Sequence, residues 1–170
     1  MRINTTYLCA FLAAVCSLTA TAADKSPTDA EQVAGLQKMC ADSGEAIKAR
    51  QAQKSLYIRL GKRAKIKVWA GKLLATHSKN KKIGHMFVHV KKDVFVRNVT
   101  DFLVAGTGGK ANYRGKDMAT AHKNLNVTNG DFLSAGGDVQ SVMKEMKYGE
   151  NEIQEVLCSL ASFIPVVIVQ

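Results

Sequence analysis

The chain has 170 residues, 46% of them hydrophobic, enough for one packed domain. Lys and Arg number 24 against 14 Asp and Glu, a formal net charge of +10. That balance can attract nucleic acid or anionic lipid. Here, however, the basic residues are spread along the chain, with short runs only at 79–82 and Lys91-Lys92, and no aromatics interleave to stack on bases. A solvated basic surface is the simpler reading, and no nucleic-acid partner is expected.

Residues 1–22 have the layout of a secretory signal. Arg2 is the sole charge, Tyr7–Leu18 is an apolar core, and Ala20-Thr21-Ala22 offers small residues for cleavage. The core is too short to span a membrane, and nothing later is long enough. A retained anchor at Cys16 is the weaker alternative, because Val15 before it is bulky. Export to the periplasm or beyond the cell is the expectation, leaving 148 residues (170 less 22).

Residues 23–53 read as a helical extension. Thr28-x-x-Glu31 is a capping-box start, and Val33, Leu36, Met39 and Cys40 share a helical face. Asp42-Ser43-Gly44 interrupts that helix, and Glu45–Gln53 resumes it. After cleavage Cys40 and Cys158 are the only cysteines: one disulfide or two separate thiols, both open. No Cys-x-x-Cys-His occurs, so thioether attachment of a haem is not indicated.

Further on, Ile66, Val68, Trp69, Leu73 and Leu74 predict a helix over Ala64–His77, with lysines 65, 67 and 72 on its wet side. A polar link, Ser78–Lys82, leads to Met86-Phe87. Asp93–Gly106 reads as helix from Val94, Phe95, Val99, Phe102 and Leu103. A glycine-marked corner at Gly108, Gly109 and Gly115 precedes a short segment in which Asp117 can cap, with Met118 and His122 one turn apart. Spacing alone leaves His122 open as a structural histidine or a metal ligand. Val127-Thr128 opens a helix to about Lys147, interrupted at Gly136-Gly137, and Glu150–Ile164 is the last helix, ended by Pro165. Strand alternation is nowhere sustained, so the fold class is all-α.

Two motifs are decoys. Gly106–Lys110 looks like a phosphate loop, but Val104 replaces the first required glycine and Ala111 lacks a hydroxyl. The sequons Asn98-Val-Thr100 and Asn126-Val-Thr128 matter only in eukaryotic secretion. No hydrolytic Ser/His/Asp or Cys/His set can be assembled.

The pattern Gly108-Gly109-x-x-x-Tyr113-x-Gly115-x-x-Met118-x-x-x-His122 resembles group I truncated haemoglobins. So do Ser55-Leu56-Tyr57-x-Arg59-Leu60-Gly61, Phe87, Phe132 and a final helix Ile153–Ile164, so that the likeness runs from about Ser55 to Val167. It implies a truncated globin-like two-over-two helical sandwich over residues 54–170, following the extension. It also implies a b-type haem whose iron is held by His122 as the proximal ligand. Phe87 would stack on the haem face, Met118 and Phe132 would contact it, and Arg97 and Tyr113 would pair with its propionates.

On the distal side the chain departs from the family. Leu74 and Val99 stand where relatives offer a tyrosine and a glutamine, and Phe95 and Leu103 complete an apolar set. Losing a charge-assisted hydrogen bond removes about 1.5–3 kcal/mol. Oxygen should therefore be held weakly, with relative preference for CO or NO. An internal sixth ligand is a further option: His77 could approach if its helix turned, His85 and His89 should face solvent, and Asn98 is a poor ligand for iron. The resemblance thus implies a binder of a diatomic gas rather than an enzyme, favoured as a monomer, with a redox partner protein as the other partner. The alternatives are a haem-based sensor or carrier, an electron-transfer protein, an NO-detoxifying or peroxidase-like enzyme, and a globin fold without haem.

Overall fold

A computed structural model describes residues 26–168. The signal read at residues 1–22 lies outside them. Nine α-helices and a 3-10 turn make up the described residues, with no strand among them. They are α1 (Asp29–Asp42), α2 (Gly44–Gln53), α3 (Leu56–Arg59), α4 (Lys62–His77), α5 (Lys92–Gly106), α6 (Met118–His122), α7 (Asn129–Glu145), α8 (Glu150–Ala161) and α9 (Ile164–Val167), the turn being Gly84–Phe87. Among the described residues no helix is long and apolar enough to cross a membrane.

Local chemistry sets the helix starts. Thr28 accepts the Glu31 amide while the Glu31 carboxylate accepts the Thr28 amide, the reciprocal box expected for α1. Thr128 and Asp131 repeat it at α7, where Asp supplies the returning carboxylate. Packing follows from the stripes: on α4, Ile66, Trp69, Ala70, Leu73, Leu74 and His77 recur at 3- and 4-residue steps and are all buried. Val68, expected with them, is 55% exposed and lies off that stripe. α4 packs on α5, crosses to α7, and α7 pairs with α8, giving two helical pairs face to face. Leu56, Ile66, Val104, Val142, Ile153 and Val156 lie at the centre, each essentially buried.

Two expectations about helix ends are corrected. Gly136-Gly137 does not interrupt α7, because its packing against α1, α4 and α8 outweighs about 1 kcal/mol of lost propensity per glycine. Pro165 does not end the last helix either. α8 stops at Ala161, and Pro165 sits in the first turn of α9, where its missing N–H costs nothing.

Cys40 and Cys158 are joined in a disulfide, resolving the open alternative in favour of pairing. The bond ties α1 to α8. A buried cluster beside it contains Val33 of α1, Ala161 of α8 and Ile164 of α9, with Leu36, Cys40, Phe132, Leu133 and Ile168 packed around it. The second half of the extension is held by charge. Glu155, nearly fully buried on α8, accepts from Arg50 Nε at 2.6 Å, Gln51 Nε2 at 2.8 Å and Arg59 Nη2 at 2.5 Å.

Candidate functional site

The corner before His122 is shaped by glycine at two points. Gly108 has φ +94°, the left-handed region that L side chains avoid. At Gly109 a Cβ would fall 2.7 Å from Val104 Cγ1 and 2.8 Å from the Tyr57 ring, so only glycine lets the backbone pass there. Beyond it Tyr113 donates its hydroxyl to the Lys116 carbonyl at 2.6 Å, closing the loop on itself. Asp117 then accepts the Thr120 amide at 2.8 Å and starts α6.

α6 ends on His122. Its ring nitrogen Nδ1 lies 2.8 Å from the Met118 carbonyl oxygen one turn back. A carbonyl can only accept, so Nδ1 carries a proton, and in the neutral tautomer Nε2 is the atom left with a lone pair. Such an orientation by a backbone carbonyl is how ligating imidazoles are held in one tautomer. His122 and Met118 are both partly exposed, and α6 lies against α9.

A second set of side chains runs along α5. Phe95, Val99 and Phe102 fall on one helical face and stay half-buried, beside the fully buried face of Thr100, Leu103 and Val104. Phe95 meets Phe87 edge-on at 6.0 Å between ring centres, and Phe87 stacks on His77 at 4.9 Å. At the other end Phe102 meets Tyr113 at 5.6 Å and Phe163 at 5.5 Å. Phe163 directly precedes α9, the neighbour of α6. A half-buried apolar strip therefore links Phe87 to the corner that delivers His122.

The remaining expected residues fall in three places. Leu74 and Leu103 are buried, Leu103 within the main core. Phe132 packs on the cluster beneath α1 and α9. Arg97 is exposed. Tyr113, expected beside a propionate, here gives its one proton to the Lys116 carbonyl.

The sequence reading missed a part-buried polar cluster around the buried His77. His77 Nδ1 lies 2.8 Å from Asp138 Oδ2, Asn80 Nδ2 donates to the same oxygen at 2.9 Å, and Asn80 also bonds Ser134. Burial pulls the His77 imidazole below its usual pKa, although Asp138 pulls the other way. His77 is thus clamped between Asp138 and Phe87 rather than free to swing with its helix, and His85 and His89 are exposed as expected. Asp138 lies 61 residues from His77 in sequence, so no local pattern announces the pair.

No family model matches the chain. A group 1 truncated hemoglobin of Tetrahymena pyriformis is 29% identical over 105 residues, 59% of this chain and 84% of that one. Its Tetrahymena thermophila counterpart is 30% identical over 74 residues, 44% of this chain and 61% of the other. The crystal structure of the Tetrahymena pyriformis truncated hemoglobin in its Fe(III) form superposes with a TM-score of 0.65 at 23% identity, covering 69% of this chain and all of that one. A 2/2 hemoglobin from Synechococcus, in the cyanomet state with covalently attached heme, superposes at 0.59 with 20% identity, covering 66% of this chain and 94% of that one.

Proposed function

We infer, for a chain whose fold is that of the truncated globins and whose curated relatives are group 1 truncated hemoglobins, that it is a haem protein binding a diatomic gas, with His122 as proximal ligand. The single observation that carries the ligand assignment is the hydrogen bond from His122 Nδ1 to the Met118 carbonyl, which leaves Nε2 as a free lone pair. A neutral imidazole and a half-buried aromatic strip are the donor and the surface that a flat, largely apolar macrocycle requires. A haem held here would supply an iron centre with one position for O2, CO or NO.

The chain's own residues set the selectivity. Phe87, Phe95 and Val99 give a half-buried apolar wall, and Leu74 is buried. None has a proton to donate, so oxygen would lose the stabilisation worth about 1.5–3 kcal/mol that a charge-assisted hydrogen bond brings. CO, which depends less on a donor, would be disfavoured less. The distal group nearest in kind is His77, whose Nδ1 is engaged by Asp138. The site therefore reads as one that releases oxygen readily, and gas binding fits it better than chemistry needing a distal proton donor. The linked Cys40 and Cys158 support the reading of an exported protein in an oxidising compartment.

The test is the absorption spectrum of haem-loaded protein, ferric and ferrous, beside His122→Ala. A high-spin ferrous spectrum that the substitution abolishes is the expected result. A low-spin ferrous spectrum before any gas is added would replace the open sixth position with an internal ligand. Failure to take up haem would end the reading.

A further inference from the structure

α1 and α2 precede the truncated-globin region, and nothing in the proposed gas site uses them. They are nonetheless fixed to it, α2 through Arg50 and Gln51 on Glu155 and α1 chiefly through a small apolar cluster, a disulfide and a side-chain hydrogen bond. Val33 of α1 is 5% exposed and packs with Ala161 and Ile164, while Phe132 and Leu133 of α7 close the same cluster. The Cys40–Cys158 disulfide sits at its edge. Gln154 donates to Ser43 at 2.9 Å one turn before Cys158. Ile164 is the first residue of α9, and α9 is the element against which α6 lies. α6 needs this support: it has five residues, Ala119, Thr120 and Ala121 are exposed, and so short a helix is marginal in water.

We propose that α1 is a disulfide-locked brace behind the His122 helix, acting through Val33, Ile164 and α9, so that oxidation of Cys40 and Cys158 controls how long the protein retains haem. The inference rests on the haem reading above. The redox step is thiol–disulfide exchange: a dithiol attacks the Cys40–Cys158 bond, two electrons and two protons pass to the cysteines, and the dithiol becomes the disulfide. Closure is the reverse, with a disulfide oxidoreductase accepting the electrons. With the bond open, α1 keeps only the apolar contacts of Val33 and Leu36, the Gln154 bonds to Met39 and Ser43, and the exposed Asp29–Lys82 pair. When α1 lifts, Phe132, Leu133 and Ile164 lose their cover and α9 loses its backing. The physical consequence is an order of maturation, in which the chain keeps haem firmly only after it has been oxidised.

Haem-loaded wild type, the double variant Cys40→Ser/Cys158→Ser, and Val33→Ala with the disulfide intact would be mixed with excess apomyoglobin and haem transfer followed by absorbance. Coupling of the usual allosteric size gives about a tenfold faster transfer from both variants. Amide hydrogen exchange on the same samples, with and without haem, should speed up in residues 118–122 and 161–168 while α4 and α5 keep their protection. Equal transfer rates and equal exchange in α6 and α9 would overturn the inference while leaving the haem site intact. Acceleration spread evenly over α4 and α5 would also overturn it, since that is general destabilisation. No haem uptake by the wild type would overturn the underlying reading, and this inference with it.

Discussion

In the proposed gas site, residue 99 is the position where one side chain would separate weak from tight oxygen holding. Val99 is half-buried on the same α5 face as Phe95 and Phe102, so a longer polar side chain there reaches the strip without disturbing the buried face of Leu103 and Val104. Val99→Gln would introduce an amide donor where none of the expected distal groups has one. If that donor meets the oxygen ligand, it contributes about 1.5–3 kcal/mol, or about 10- to 150-fold in dissociation rate. Oxygen release measured by stopped-flow displacement should slow by at least about tenfold, with CO release changed far less. An oxygen rate that stays put would mean that position 99 does not face the ligand. His77 is the contrasting case: Asp138 and Phe87 hold it from both sides, so its polarity is committed to the protein interior.

Single elements show what a sequence can and cannot announce. The capping box at Thr28 and the start of α6 at Asp117 were legible because each is a bond between residues three apart, and the same local chemistry let Thr128 mark the start of α7. The glycine corner and the short helix that ends on His122 were legible because backbone shape and cap share one short stretch. Asp138 beside His77 and Glu155 beneath Arg50 and Arg59 were not, since each joins residues that only the tertiary fold brings together. The failure at α7 was of another kind, an intrinsic preference overruled by packing. That yields a prediction: Gly137 is exposed inside α7 and a Cβ there would meet nothing within 4 Å. Gly137→Ala should stabilise the protein by about 0.5–1 kcal/mol in urea unfolding. Gly109→Ala should instead destabilise, because its Cβ would strike Val104 and Tyr57.

At the scale of the whole molecule, two of the links that fix the extension work on different states of the chain. The disulfide links residues 118 apart and restricts the unfolded ensemble, which by loop-closure entropy is worth up to about 5 kcal/mol. Glu155 acts in the folded state. Removing it costs Arg50 and Gln51 their carboxylate and leaves Arg59 only Glu152, a loss of about 2–3 kcal/mol for Glu155→Ala, below the penalty for a wholly unpaired buried charge. Were these independent, their losses would add within about 0.5 kcal/mol. They meet on one helix, however, with Cys158 one turn beyond Glu155, and both hold α1–α2 against α8. Once the disulfide is gone and the extension can lift away, Arg50 and Gln51 leave with it and water solvates them. Glu155→Ala should then cost less in the Cys40→Ser/Cys158→Ser background than in the wild type, by more than about 1 kcal/mol in a urea double-mutant cycle. A strictly additive cycle would mean that α1 and α2 come away separately, and that the lock on α1 does nothing for the ion pairs under α2.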